Sequence, residues 1–327
     1  MHFLPKIILS NGVEFECSTD QTILDAAKKN KVAIEHSCRS GRCGVCLALV
    51  LGGASTALTE EGSLTSDESS QGKILTCCRA PLTDVYLDIE DLGKIGNIPI
   101  LTLPCRIDSL ELLNEDVIQV ILRLPPNANF RYIPGQYIDF IHGGVRRSYS
   151  IANAPREDGK LELQIKKVEH GLMSDYLFNQ AKESDLLRLE GPLGTFSYRE
   201  NSAKNIVLIA TGTGIAPIKA LLESFITQKM DKNVFVIWGA KFRKDLYLNL
   251  SSLNVEHIFV PVLSREVISD GFNGYVQDAV LNLELNLDDT TVYACGSELM
   301  IKCASKLLIN NGLSSKRFYS DAFVSSN

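Results

Sequence analysis

The sequence lacks a long hydrophobic run: nowhere in its 327 residues do about 18 consecutive apolar residues occur, the length that a membrane-spanning helix needs. Its first residues, MHFLPKIILSNG, turn polar too soon for a secretory signal. It also lacks a basic surplus, because its net charge is −6 at pH 7, whereas nucleic-acid-binding proteins usually carry excess positive charge. We therefore predict a cytoplasmic protein that acts on neither membranes nor nucleic acids.

Cysteine is abundant, and its spacing favours a metal site over disulfide crosslinks. The chain has nine cysteines, and disulfides are rare in a reducing compartment. Four of the nine stand at metal-ligand spacing, so they indicate a metal site rather than crosslinks. An apolar content of 45% in a chain of this length can bury more than one core, which predicts two or three domains and argues against disorder.

The first 93 residues have the pattern of a β-grasp domain. Asn11-Gly12 is a strong hairpin signal between two short strands. From residue 22 to residue 31 the apolar residues recur on one helical face. Glycines and prolines then interrupt any period over 94–104, which is typical of a linker.

Two further domains follow the linker. Residues 105–200 contain short alternating runs separated by turn residues, the pattern of an antiparallel β-barrel, with one helix near 174–182. From 201 to 327 the strands are continuously apolar and alternate with helical stretches, which predicts a parallel α/β sheet. The predicted order is therefore β-grasp, barrel, α/β.

The most specific motif is a set of cysteines in the first domain. Cys38, Cys43 and Cys46 have the spacing C-x4-C-x2-C, and another cysteine follows about thirty residues later, which is the plant-type pattern that holds a 2Fe-2S cluster. The residues between them are small and glycine-rich, so that backbone N–H groups can turn towards the sulfurs. A structural zinc site is the alternative.

The fourth cluster ligand is ambiguous because Cys77 and Cys78 are adjacent. Neighbouring residues on an extended chain point to opposite sides, so only one of the two thiols can face a cluster. We choose Cys77 as the ligand, since the phrase Leu75-Thr76-Cys77 resembles the closing ligand of plant ferredoxins.

The second motif, RRSYSIAN, lies in the barrel segment. Arg147 and Tyr149 alternate on a strand and share a face, where a guanidinium can bind a diphosphate and a phenol can pack against a flavin ring. Ser150 would then lie near the redox-active edge of the ring. Gly171 and Ser174 open the helix of the barrel, whose free N–H groups can receive the flavin diphosphate. An exposed strand with a basic pair is the alternative.

The third motif follows the apolar strand NIVLIA. It is a glycine turn leading into a helix with proline in its first turn, which suits a nucleotide phosphate: Thr211-Gly212-Thr213-Gly214-Ile215-Ala216-Pro217. Cys295 and Gly296 end another apolar strand, at the edge where open α/β sheets bind ligands, and the thiol there can line a hydride path. The alternatives are a simple tight turn and a small buried hydrophobic residue.

With these motifs in this order, the chain resembles the ferredoxin-reductase-type oxidoreductases that carry an N-terminal plant-type ferredoxin domain, over essentially its whole length. The phrases ILTCCRAP, RRSYSIANAP, VYACGS and FYSDAFVSSN are similar to the CDP-6-deoxy-Δ3,4-glucoseen reductases. The resemblance implies that NADH reduces FAD, that FAD reduces the 2Fe-2S cluster, and that the cluster feeds a pyridoxamine-phosphate, iron-sulfur CDP-sugar dehydrase. Such chemistry serves 3,6-dideoxyhexose synthesis for lipopolysaccharide O-antigens.

The resemblance also implies roles for single residues. Arg147, Tyr149 and Ser150 are expected to contact the flavin, Gly171 and Ser174 its diphosphate, Gly212, Gly214 and Pro217 the nucleotide, and Cys295 the nicotinamide. Phe323 would cover the other flavin face, and the four residues after it would have to turn away. Ser264-Arg265 resembles a binding site for a 2′-phosphate, which keeps NADPH possible as the donor.

Two other functions stay open at this point. The reductase component of an aromatic-ring or diiron oxygenase would carry the same three motifs, and the acceptor reduced at high turnover separates it from a sugar-dehydrase reductase. A redox sensor would bind flavin and cluster but would act by switching a contact with a regulator. Slow reduction of cytochrome c by NADH would indicate such a sensor.

Overall fold

The computed structural model describes residues 4–228 and 230–323, which form two compact units. The first unit runs to Pro99 and includes Gly194–Phe196, and the second comprises Ile100–Leu193 and the chain from Ser197 onwards. The predicted barrel and α/β segments therefore belong to one compact unit. Within the described residues, no helix has both the length and the apolar character that crossing a membrane requires.

The first unit is the predicted β-grasp fold, with a five-stranded sheet in the order β2-β1-β7-β3-β5 and a small β4-β6 ladder. Its elements are β1 (Lys6–Leu9), β2 (Glu14–Glu16), α1 (Ile23–Lys29), β3 (Leu47–Gly52), β4 (Ser55–Ala57), α2 (Ser66–Ser70), β5 (Lys73–Leu75), β6 (Arg79–Pro81) and β7 (Val85–Leu87). The hairpin around Asn11-Gly12 forms as predicted. Helix α1 begins after Thr22, whose hydroxyl accepts a hydrogen bond from the Asp25 N–H at 3.1 Å.

The first part of the second unit is an antiparallel barrel sheet in the order β11-β10-β13-β8-β9-β12. Its elements are β8 (Leu101–Asn114), β9 (Val117–Arg123), β10 (Tyr137–His142), β11 (Val145–Ser150), β12 (Leu161–Lys166), α3 (Leu172–Asn179) and β13 (Leu186–Leu193). A bridge between Ile151 and Leu163 connects the ends of the sheet, beside β11 and β12. Strand β8 starts inside the segment 94–104 that reads as a linker, because Leu101 already pairs with Gly191.

The second part of this unit is a six-stranded parallel sheet in the order β17-β16-β15-β14-β18-β19. Its elements are β14 (Asn205–Thr211), α4 (Ile215–Gln228), β15 (Asn233–Ala240), β16 (Ile258–Leu263), β17 (Phe272–Asn273), α5 (Val276–Asn282), β18 (Thr290–Ser297), α6 (Glu298–Asn310) and β19 (Phe318–Phe323). Strands β14, β15 and β18 are almost entirely buried, which explains their continuous apolar runs. All parallel strands end at one edge, so the turn after β14 and the end of β18 lie side by side.

Candidate functional site

The loop between α1 and β3 brings the first two predicted cluster ligands, Cys38 and Cys43, together. The N–H groups of Ser40 and Cys43 donate to Cys38 Sγ at 3.4 and 3.3 Å, and the Cys38 N–H donates to Cys43 Sγ at 3.5 Å. Within this hydrogen-bonded pair the pKa of Cys38 is lowered, chiefly by its hydrogen bond with Cys43, while the pKa of Cys43 is raised. The thiolate form is the one that binds a metal. Cys38 is therefore the thiol of this pair that ionises more readily and can bind iron.

The other two predicted ligands form a second pair. Cys46 Sγ and Cys77 Sγ lie 3.2 Å apart, and Cys78 Sγ lies 3.6 Å from Cys77 Sγ and 3.5 Å from the carbonyl oxygen of Glu60. The chain turns at these residues, with the Cys78 N–H donating to the carbonyl oxygen of Leu75 at 2.9 Å, so the expectation of an extended backbone with opposed thiols is wrong. In the part of the chain that the structure describes, no three His, Cys, Asp or Glu side chains converge on a single metal position. The four sulfurs instead form two pairs, and this suits a cluster in which each of two irons takes two cysteines.

A partly buried ion pair holds the segment that carries Cys77. The Glu61 carboxylate accepts a hydrogen bond from the Leu75 N–H at 2.7 Å and pairs with Arg79 Nε at 2.8 Å. The guanidinium also donates to the carbonyl oxygen of Ser55 at 3.2 Å. Glu61 therefore fixes both ends of the short stretch in which the fourth ligand lies.

We expect Glu61→Ala to lower the free energy of unfolding of the iron-loaded protein by about 3 kcal/mol, because it leaves the Arg79 charge partly buried without its partner. Urea unfolding, followed by loss of the visible absorbance of the cluster, measures this effect. The matched control is Glu14→Ala, which breaks an exposed pair with Lys6 and should leave the transition unchanged. Equal transition midpoints for the two variants would refute a special role for Glu61.

Strand β11 presents two of the predicted flavin residues, Arg147 and Tyr149, on one face. The Arg147 guanidinium donates to the carbonyl oxygen of Arg146 at 2.8 Å, and the Tyr149 ring packs edge-on against Phe140 with centroids 6.4 Å apart. Burial raises the pKa of Tyr149, so its phenol stays protonated. Ser150 is buried at the end of the strand. The alternation predicted from the motif is thus present.

The opposite face of β11 is anchored to its neighbours. The buried Asp139 carboxylate accepts a hydrogen bond from Ser148 Oγ at 2.6 Å and pairs with Arg146 at 3.0 Å. Arg146 also pairs with Glu190 on β13 at 2.9 Å. These bonds fix the strand while leaving the Arg147 face partly accessible for a ligand.

Helix α3 begins beside β11, where a diphosphate site is expected. Gly171 is its N-cap and gives it no side-chain cap, so the first N–H groups of the helix are available to an anion. The Ser174 hydroxyl instead bonds to the N–H and carbonyl of Val168, at 3.1 and 3.0 Å. Ser174 therefore shapes the loop before the helix, and its side chain is committed to that role in this structure.

The glycine turn after β14 fits tightly against the end of β18. Gly212–Gly214 form a 3-10 turn, and a Cβ atom on Gly214 would overlap the carbonyl oxygen of Cys295. Trp238 Nε1 donates to the carbonyl oxygen of Gly212 at 3.0 Å, and the Ser297 N–H donates to Thr211 Oγ1 at 3.2 Å. The turn and the end of β18 are consequently held together.

A cavity of about 790 Å³ opens at this edge of the sheet, which is a size that accommodates a nucleotide. Its wall includes these residues predicted from the sequence: Gly212, Thr213, Gly296, Ser264 and Phe323. Three others are buried behind the wall: Gly214, Pro217 and Cys295. The four residues that follow Phe323 lie outside the described residues.

Cys295 is completely buried within β18, opposite Asp321 on β19. Burial, with the nearby Asp321 charge as a smaller cause, raises the pKa of the thiol well above its usual range. The side chain is therefore held as a neutral thiol beneath the turn.

Sequence reasoning missed several residues of the cavity wall, among them Lys166, Lys241, Tyr247 and Tyr275. Lys241 follows β15 at the ligand-binding edge, so the rule that identified Cys295 also predicts it. Tyr275 is an aromatic residue with 64% of its surface exposed, but only the structure reveals that exposure. Lys166 and Tyr247 reach the cavity through tertiary packing and give no signal in the sequence.

Family models match the three parts of the chain in the predicted order. A model for a 2Fe-2S iron-sulfur cluster binding domain matches residues 7–82. A model for an oxidoreductase FAD-binding domain matches residues 104–198, and one for an oxidoreductase NAD-binding domain matches residues 208–306. The protein is therefore an oxidoreductase with 2Fe-2S, FAD and NAD domains, and the expectation of these cofactors is confirmed.

Curated relatives match the chain from end to end. It is 41% identical over 321 residues to the CDP-6-deoxy-L-threo-D-glycero-4-hexulose-3-dehydrase reductase of Yersinia pestis, covering 97% of each chain. It is 38% identical over 333 residues to Protein RfbI of Salmonella typhimurium, covering 100% of this chain and 98% of the relative. The crystal structure of the Amycolatopsis cytochrome P450 reductase GcoB superposes with a TM-score of 0.76 at 27% identity, covering 98% of this chain and 99% of the other. The cysteine pairs, the flavin strand and the nucleotide turn agree with this full-length identity. The chain belongs to the CDP-6-deoxy-L-threo-D-glycero-4-hexulose-3-dehydrase reductase family.

Proposed function

We propose that the protein takes hydride from NADH and delivers single electrons to a pyridoxamine-phosphate, iron-sulfur CDP-sugar 3-dehydrase in 3,6-dideoxyhexose synthesis. The observation that carries this proposal is the 41% identity, over 97% of both chains, to a relative named as the reductase of a CDP-hexulose dehydrase. None of the nine cysteines forms a disulfide, which is in keeping with a reducing cytoplasm, where we place the reaction.

The residues of the chain divide the work of binding and orientation. Bound FAD supplies the conversion between a two-electron hydride and single electrons. Arg147 and the first N–H groups of α3 are suited to hold the flavin diphosphate, while Tyr149 packs against the ring. The turn Gly212–Gly214 is suited to bind the nucleotide phosphates beside it. Cys38, Cys43, Cys46 and Cys77 are the four thiols proposed to hold the cluster.

We infer NADH as the preferred donor, with NADPH as the weaker one. In nucleotide-binding α/β domains a nearby arginine accommodates the 2′-phosphate of NADP. In the part of the chain that the structure describes, the cavity wall includes Ser264 but not Arg265. The ratio of kcat/KM for the two donors tests this preference.

The decisive experiment reconstitutes the reaction. The purified protein is mixed anaerobically with NADH and a candidate dehydrase charged with CDP-4-keto-6-deoxyglucose, and the products are analysed for a 3-deoxy sugar. We expect product only when both proteins and NADH are present. The control replaces this protein with the reductase component of an aromatic-ring dioxygenase at the same concentration.

Three results would refute the proposal. Failure to form the 3-deoxy sugar, together with rapid reduction of an oxygenase component, would assign the protein to an oxygenase system instead. Very slow reduction of cytochrome c and of every protein acceptor would indicate a redox sensor. Product formation that is no faster than with the dioxygenase reductase would show that this chain has no specific acceptor.

A further inference from the structure

Four charged side chains form a cluster between the barrel and helix α4, and none of the site motifs includes them. We call Arg156, Glu162, Lys219 and Glu223 the Lys219 cluster. Lys219 Nζ lies 2.9 Å from Glu162 Oε2 and 2.6 Å from Glu223 Oε1, and Arg156 Nη2 lies 3.0 Å from Glu162 Oε2. The exposed fractions of the Glu162 and Lys219 side chains are 3% and 13%. Two positive and two negative charges are therefore balanced in a largely buried position.

The cluster is bonded to the chain that leaves the flavin strand. Lys219 Nζ donates to the carbonyl oxygen of Ala152 at 3.1 Å, and the Ala154 N–H donates to Glu223 Oε2 at 2.9 Å. Ala152 lies two residues beyond Ser150, and its N–H donates to the carbonyl oxygen of Glu162 at 2.8 Å. Helix α4, which carries Lys219, starts directly after the glycine turn. One side chain thus connects the end of the flavin strand to the helix of the nucleotide turn.

A second series of contacts leads from Glu162 to the same turn. Gln164 Nε2 donates to Glu162 Oε1 at 3.0 Å, and the Tyr247 hydroxyl donates to Gln164 Oε1 at 3.0 Å. The Tyr247 ring packs edge-on against Trp238 with centroids 5.2 Å apart, and Trp238 bonds to the carbonyl oxygen of Gly212. Polar and aromatic contacts therefore run without a break from the cluster to the nucleotide cavity, which Tyr247 lines.

Hydride transfer is unusually sensitive to such spacing. The donor and acceptor carbons must approach to about 3–3.5 Å, and a displacement of about 1 Å can slow a reaction by about 100-fold. Buried charges are stable only when each has its partner, and each charge of the Lys219 cluster has at least one. A hydrogen bond holds its donor and acceptor atoms about 2.7–3.2 Å apart, so each contact of the cluster fixes a distance between the elements that it joins.

We propose that Lys219 is a positioning residue for hydride transfer, which sets the distance between the nucleotide turn and the flavin strand. The inference rests on the proposed function, because it requires that the flavin strand binds FAD and that the nucleotide turn binds NADH. Lys219 touches neither the nucleotide cavity nor the predicted flavin residues, and it acts through Ala152 and through the start of α4.

The test compares the holoprotein with three variants and one control. Lys219→Met removes the charge, Lys219→Arg keeps it, and the double variant Lys219→Met/Glu162→Gln removes one charge of each sign, so that no net charge is left buried. The control is Lys302→Met on α6. It breaks a comparable i,i+4 ion pair with Glu298, but the Lys302 side chain is 53% exposed. Anaerobic stopped-flow measures flavin reduction by NADH, the apparent Kd for NADH and the flavin–nicotinamide charge-transfer absorbance. Flavin content and Tm are measured in parallel.

We expect Lys219→Met to slow flavin reduction at saturating NADH by about 10- to 100-fold. The apparent Kd for NADH and the flavin content should stay near those of the wild type, while the charge-transfer absorbance weakens. Lys219→Arg should recover most of the rate, and Lys302→Met should match the wild type. The double variant should regain the wild-type Tm yet remain slow, because balanced charge restores stability without restoring the spacing.

Two outcomes would overturn the positioning role. One is a Lys219→Met protein with the wild-type rate and charge-transfer absorbance. The other is a double variant that recovers rate and Tm together, which would mean that the cluster serves stability alone. If Lys219→Met loses its flavin, the double variant decides between the two roles. Failure of NADH to reduce the wild-type flavin, with dithionite still doing so, would refute the proposed function instead.

Discussion

Replacing Cys77 with alanine is expected to abolish the iron-sulfur cluster. In this structure its sulfur lies 3.2 Å from that of Cys46, so its loss would leave one of the two sulfur pairs with a single thiol. The variant should contain neither iron nor acid-labile sulfide after anaerobic purification, and its visible spectrum should be that of flavin alone. NADH should still reduce the flavin, whereas electron transfer to cytochrome c should fall to the rate of the flavin by itself.

The neighbouring Cys78 provides the matched control. It has no exposed surface, and its sulfur packs where a Cβ on Gly41 would stand, facing the carbonyl oxygen of Glu60. Cys78→Ala should keep full iron and sulfide and lose only about 1 kcal/mol of stability from a small cavity. If Cys78→Ala loses the cluster and Cys77→Ala keeps it, the assignment of the fourth ligand is reversed.

The choice between these two cysteines illustrates what the sequence can specify. The first three ligands lie within one loop, so their spacing alone predicts a shared metal. The fourth depends on strand register: Leu47 pairs with Leu75, and the Thr76 N–H bonds to the carbonyl oxygen of Cys46, which brings the next residue beside the loop. Alternation along an extended chain would let only one thiol face inward, but residues 76–78 form a turn that leaves the sulfurs of Cys77 and Cys78 only 3.6 Å apart. Sequence reasoning therefore could not separate the two thiols.

The same contrast separates the site motifs from the contacts that support them. The fold class, the flavin strand and the nucleotide turn depend on local patterns, and the family models confirm the three kinds of domain in their predicted order. Lys219 and Glu162 are 57 residues apart, on a helix and on a strand of different layers. A lysine on an amphipathic helix normally indicates the solvent-exposed face of that helix. The ion pair between Lys219 and Glu162 is therefore visible only in the tertiary structure. Strands β17 and β19 carry no continuous apolar run, so the sequence pattern does not indicate them.

Gly214→Ala is expected to disable the use of NADH while leaving the other cofactors in place. A Cβ at this position would overlap the carbonyl oxygen of Cys295, and it would also press on Gly296. The obstacle is backbone on both sides, so either the turn or the end of β18 must shift. A shift of about 1 Å at the nucleotide turn should slow flavin reduction by NADH by about 100-fold. Stopped-flow kinetics with NADH measure this, and reduction by dithionite confirms that flavin and cluster remain intact.

Gly212→Ala separates the effect of this overlap from the general effect of altering a glycine in the turn. Gly212 has a φ of +54°, but a Cβ there would meet nothing within 4 Å. Alanine at this position adds a backbone strain of about 1 kcal/mol, which corresponds to roughly a fivefold loss if all of it affects NADH binding. The two substitutions should therefore differ by more than tenfold in rate, by these same estimates. Equal losses would mean that the close approach of Gly214 to β18 does not determine how the nucleotide is held.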